Sequence, residues 1–112
     1  MKAILIKTSY EEIKRVGSLY EAIRGHWYLR LVRAKNYTHV IAAIKGEKDI
    51  KAVYKVLKWE ESDTCGNRIM FEGVPDTNLE KLFVGKELNP NFFTQGRRNP
   101  CSYIEENTSL VA

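Results

Sequence analysis

The chain has 112 residues, of which 44% are hydrophobic and 29% charged, which predicts one folded domain with a modest core and excludes a wholly disordered chain. Its net charge of +4 favours anionic partners such as nucleotides or nucleic acid, with a simple aid to solubility as the alternative. The longest apolar runs are too short to span a bilayer, so no membrane association is expected.

The opening Met1-Lys2-Ala3-Ile4-Leu5-Ile6-Lys7 is basic, then apolar. It lacks the length and the small-residue cleavage site of a signal peptide, so residues 3–7 read as a first strand and the location as cytoplasmic. Ser9-Tyr10-Glu11-Glu12 is a capping box that opens a helix, with Glu12 expected to reach back. Gly17 suits the left-handed residue that ends it. Ser18-Leu19-Tyr20-Glu21 repeats the pattern and Gly25 can close it, so residues 9–25 form two short helices with a bend between them, or one continuous helix. Residues 28–36 fit a third short helix.

Residues 38–46 read as a strand apolar on both faces. Residues 50–59 form another, with Ile50, Ala52, Tyr54 and Val56 on one face and Lys51 and Lys55 on the other. Their short connection makes them an antiparallel hairpin. Residues 60–67 are turn-like. Residues 68–72 alternate as a strand that Gly73 ends. Thr77-Asn78-Leu79-Glu80 is a third capping box, opening a helix that stops near Gly85. Asn89-Pro90-Asn91 is a turn, residues 102–104 the last strand, and residues 106–112 a frayed tail. The order of elements is mixed rather than βαβ. The expected fold is a single α+β domain over residues 1–105, with a small curved mixed or antiparallel sheet or a pseudo-barrel and short helices packed on it.

Three clusters carry candidate ligand chemistry. In the first, Tyr20, Arg24 and Trp27 surround Gly25 and His26. An arginine offers a charge-assisted fork to phosphate, and an aromatic plate suits a base. The bland alternative makes Tyr20 and Trp27 core and Arg24 a surface charge. In the second, Gly96 and Pro100 bracket Arg97, Arg98 and Asn99, whose donors can read a base edge or a ribose; a solvated basic turn is the alternative. The third is Trp59, with Arg68 and Phe71 nearby, where core or rim is the alternative to a ligand contact. Cys65 and Cys101 have no zinc-ligand spacing and read as reduced thiols, and no metal or cofactor is expected. A catalytic cysteine would need His26 or His39 as its base. No phosphate-binding Gly-Lys-Ser/Thr loop, Gly-x-Ser-x-Gly or His-Glu-x-x-His motif is present, so no enzymatic activity is expected.

Several segments together resemble a family of small bacterial and phage proteins. They are Tyr20-Glu21-Ala22-Ile23-Arg24-Gly25-His26-Trp27, the hairpin with Trp59, Phe71-Glu72-Gly73, Val84-Gly85-Lys86 and Gly96-Arg97-Arg98-Asn99-Pro100-Cys101-Ser102-Tyr103-Ile104. In that family a Tyr-Glu-Ala-x-Arg-Gly-x-Trp segment precedes the hairpin and a Gly-x-x-Asn-Pro-x-x-Tyr segment ends the domain. The paired Arg97 and Arg98 depart from it, because a smaller residue is expected at one of these positions. The hairpin also resembles that of the PUA-like superfamily (PUA, ASCH and EVE domains). The resemblance implies a PUA-like fold that binds a nucleotide-type ligand. The expected function is non-catalytic binding of a nucleotide-derived anionic ligand, in the manner of a phage sponge that sequesters a host defence signal in the host cytoplasm. The alternatives are a reader of RNA or of a modified base in DNA, and a small nucleotide hydrolase. A homo-oligomer is compatible with each.

Overall fold

The computed structural model describes residues 1–64, 66–93 and 100–112, with the Phe93 side chain excepted. Five strands form one open mixed sheet: β1 (Ala3–Thr8), β2 (His39–Ile44), β3 (Ala52–Glu61), β4 (Ile69–Pro75) and β5 (Cys101–Ile104), in the spatial order β4-β3-β2-β1-β5. Four short helices accompany them: α1 (Tyr10–Val16), α2 (Leu19–Arg24), α3 (Leu31–Ala34) and α4 (Thr77–Phe83). The α+β class and the mixed sheet are as expected. The sheet does not close into a barrel, because β4 and β5 are its two edges.

The two-helix reading of residues 9–25 holds. The Ser9 hydroxyl accepts from Glu12 N and the Ser18 hydroxyl from Glu21 N, both at 3.1 Å. Gly17 sits at φ 103°, where a side chain would be strained, and this residue breaks the helix in two. The capping box is only half made, since the Glu12 carboxylate turns to Arg15 instead of reaching back. At α4 the cap lies one residue earlier than expected: Asp76 Oδ1 accepts from Leu79 N at 3.1 Å, and Glu80 turns to Val53 N.

The hairpin of β2 and β3 is antiparallel, with His39 opposite Lys55 and Ala42 opposite Ala52. The expectation that excluded a βαβ order is corrected. β1 and β2 are adjacent and parallel, with Thr8 opposite Ile44, and α1 to α3 form the crossover between them. The central strands are apolar on both faces because both faces are covered. Ile4, Ile6, Val40, Tyr54 and Phe71 pack under α2 and α3. On the other face Leu5, Ile41 and Val53 meet Leu88, Phe92 and Leu110, with Leu79 and Phe83 of α4 beside them.

A bulge between Val56 and Lys58 shifts the pairing of β3 with β4. Strict alternation from Tyr54 would send Trp59 to the opposite face. The extra residue resets the phase, leaving Leu57 exposed and Trp59 buried on the Tyr54 side. Gly73 does not end β4 but pairs with Val56 inside it. A Cβ there would stand 2.6 Å from the Lys55 carbonyl oxygen, so the close approach of the two strands at the bulge requires glycine.

The segment 106–112, expected to fray, is docked. Leu110 is buried in the second core, its carbonyl accepts from Asn89 N (2.9 Å), and Val111 bridges to Leu88. Two apolar side chains near the end suffice to hold it down.

Candidate functional site

The carboxyl ends of the parallel strands β1 and β2 open into a cleft of about 350 Å³. In open sheets with parallel strands this is the edge where ligands are usually held. Lys7 and Thr8 come from the end of β1, and Lys45 follows β2. Lys45 N donates to Thr8 O at 2.8 Å, which holds the two strand ends side by side. Glu12 and Arg15 of α1, the segment 25–27 and Arg68 complete the walls.

Segment 25–27 is fixed by its approach to β4. A Cβ on Gly25 would stand 2.9 Å from the Met70 Cβ, so the chain passes too close to β4 for any larger residue. Trp27 then pairs with Ile69 through both backbone bonds, Trp27 N to Ile69 O (2.9 Å) and Ile69 N to Trp27 O (3.0 Å). Its indole N–H donates to Ile23 O at 2.6 Å. The half-buried ring is thus tied to α2 and to β4 while it lines the cleft.

The cleft is electropositive. Lys7, Arg15, Lys45 and Arg68 line it, and Glu12 is the one carboxylate among its described residues. That carboxylate is already paired: hydrogen bonds from Arg15 hold Glu12 below the usual carboxylate range and raise Arg15 in turn. Lys7 Nζ donates to Phe92 O. Arg68 Nη1 donates to His26 O (3.3 Å), and its guanidinium lies 3.9 Å from the Tyr28 ring centroid. Lys45 is exposed, with no side-chain partner among the described residues.

Of the expected site residues, Trp27 lines the cleft. Arg24 does not. It faces an adjoining hollow of about 360 Å³ that shares Glu12, Arg15, Gly25 and His26 with the cleft. There its Nε donates to Phe71 O (3.3 Å), and it lies 3.7 Å from the Glu21 carboxylate. Arg24 and Trp27 thus line neighbouring hollows, both bordered by Gly25 and His26. Tyr20 is a packing residue whose hydroxyl accepts from Gly73 N at 3.0 Å and whose ring lies 5.3 Å from that of Tyr54. Trp59 is buried, and its indole N–H donates to Tyr37 O at 3.0 Å. Arg97, Arg98, Asn99 and Cys65 lie outside the described residues.

No family model, curated protein or solved structure matches this chain. Its function has to be read from the site. Among the described residues no three His, Cys, Asp or Glu side chains come together as a metal site. Burial pushes the Cys101 thiol up to about 12, which makes it a poor nucleophile. His39 is engaged with Asp76 at 3.0 Å, away from the cleft. No helix of the described chain is long and apolar enough to cross a membrane.

The lysines at the strand ends escaped the sequence reading, and Arg68 was grouped with Trp59 instead of with Trp27. Lys7 and Lys45 are 38 positions apart, and only the parallel pairing of β1 with β2 brings them together. The one available sign was that both apolar strand segments end on a lysine.

Proposed function

We propose that the cleft binds a nucleotide-derived anionic ligand and that the protein does no chemistry on it. The observation that carries this reading is the pair of cations Lys45 and Arg68 at one cleft whose wall holds the Trp27 indole and whose single carboxylate among the described residues is paired with Arg15. A phosphate among these donors would gain charge-assisted hydrogen bonds worth about 1.5–3 kcal/mol each. A base against the indole would add about 1–3 kcal/mol. An inorganic anion would use the cations and leave the aromatic wall idle, which is why a nucleotide suits the site better.

A protein that holds such a ligand unchanged acts by sequestration. On this reading the chain is a sponge for a nucleotide signal, and in a phage it would work in the host cytoplasm. The relationship to PUA-like domains belongs to the same proposal, resting on the hairpin residues and on segment 20–27. The open sheet is the part of that expectation which the fold does not repeat. Arg97, Arg98 and Asn99 lie outside the described residues, and the proposal does not depend on them.

Native mass spectrometry of the protein purified from cells tests this reading. The expected spectrum carries an adduct with the mass of a nucleotide, and incubation with added nucleotides leaves their masses unchanged. Time-dependent loss of a nucleotide, abolished by a substitution in the cleft, would contradict it. The same spectrum reports whether the chain assembles.

A further inference from the structure

We propose that the ligand is a nucleotide chain of at least two units, with one unit in the cleft and the next base stacked on Tyr28 outside it. This rests on the reading of the cleft as a nucleotide site and names the ligand class more narrowly. Tyr28 is 68% exposed, although its neighbours Trp27 and Leu29 both turn toward the core. The reason is local. Leu29 N donates to Trp27 O at 2.9 Å, so the chain turns tightly at Tyr28 and carries its side chain on the outside of the bend.

A single exposed aromatic is ordinary on a protein surface. What sets Tyr28 apart is its company. The Arg68 guanidinium lies over the ring, 3.9 Å from its centroid, and is held there by the His26 carbonyl at 3.3 Å. Arg68 lines the cleft, and it also lines a second hollow of about 480 Å³, to which Arg30 and Asn67 contribute donors and Glu61 one carboxylate. A phosphate at Arg68 would therefore sit between two occupied places. One is the cleft with Trp27 in its wall, and the other is the Tyr28 ring with the second hollow beside it. Two aromatics spaced by a shared cation is the arrangement that single-stranded nucleic acid uses, stacking bases on rings while the phosphates track the cations. A mononucleotide would leave Tyr28 and the second hollow unused.

Isothermal titration with defined probes tests this. The probes are the four nucleoside 5′-monophosphates and the four 5′-phosphorylated homodinucleotides. The proteins are the parent, Tyr28→Ala, Tyr28→Phe and Lys45→Ala. The parent is expected to bind a dinucleotide more tightly than its monophosphate. Tyr28→Ala should lower dinucleotide affinity by about tenfold and monophosphate affinity by clearly less, since the ring also carries the Arg68 guanidinium, and Tyr28→Phe should retain the parent value. Because Tyr28 is exposed, neither substitution threatens the fold. Dinucleotide affinity unchanged in Tyr28→Ala, or an equal loss for both ligand sizes, would overturn the two-unit proposal. The cleft reading would survive that result if Lys45→Ala still weakened the monophosphates. If the parent bound neither ligand size, both readings would fall together.

Discussion

Trp59→Ala should cost the domain about 3–5 kcal/mol of stability, the range for removing a large aromatic from a packed core. Trp59 is buried, its ring centroid lies 5.5 Å from that of Phe71, and its indole N–H satisfies the Tyr37 carbonyl. The substitution empties a space between β3 and β4 and strips a buried carbonyl of its donor. Small domains have about 5–15 kcal/mol in total, so the loss is a large fraction. Urea unfolding followed by circular dichroism measures it. Trp59→Phe keeps most of the ring and loses the donor, so a smaller loss is expected, and the folded variant should bind ligand like the parent. A stable Trp59→Phe with lost ligand affinity would put this indole in the site after all.

Lys45→Glu should have the largest effect on binding among single substitutions in the cleft. The side chain is exposed at the end of β2, on the rim of the cleft, and has no side-chain partner among the described residues. Its removal therefore leaves nothing unsatisfied, and stability should stay within about 0.5 kcal/mol of the parent. Binding is different. Losing one charge-assisted contact to phosphate weakens affinity by about tenfold to a hundredfold, and the new carboxylate adds repulsion. Arg15→Ala should do less, because it changes the local charge by one unit instead of two, although the Glu12 carboxylate it frees also opposes an anion. Titration of both variants at low ionic strength, repeated in about 0.5 M salt, separates the electrostatic part, which salt screens. Parent-like affinity in Lys45→Glu would move the ligand out of this cleft.

Features set by near neighbours were legible in the sequence. Ser9, Gly17 and Ser18 mark the ends of α1 and α2 through bonds that span only a few residues. The hairpin was legible because too few residues separate its strands for any parallel connection. The parallel pairing of β1 with β2 was not, since a strand apolar on both faces fits a barrel as well as a covered open sheet. The bulge at Leu57 was also hidden. It depends on Gly73 having no side chain where the Lys55 carbonyl oxygen comes close, a contact between residues on different strands. That bulge decides whether Trp59 faces core or solvent, so the candidate role of Trp59 could not be settled without it. In the site itself, Trp27 was legible from the Arg-Gly-x-Trp segment. The cations beside it, Lys45 just after β2 and Arg68 just before β4, are collected only by tertiary pairing.

The chain has two tryptophans, and they give the most direct test of where a ligand binds. Both indole N–H groups are hydrogen-bonded to backbone carbonyls, so both should give sharp, separate proton–nitrogen resonances. Trp27 lines the cleft and Trp59 is in the core. A two-dimensional NMR titration with 5′-phosphorylated nucleotides should shift the Trp27 indole together with the amides of Thr8, Gly25 and Lys45, while the Trp59 indole stays in place. Shifts confined to Trp59 and its neighbours, or saturating binding that leaves Trp27 and the ends of β1 and β2 unmoved, would contradict the placement of the site.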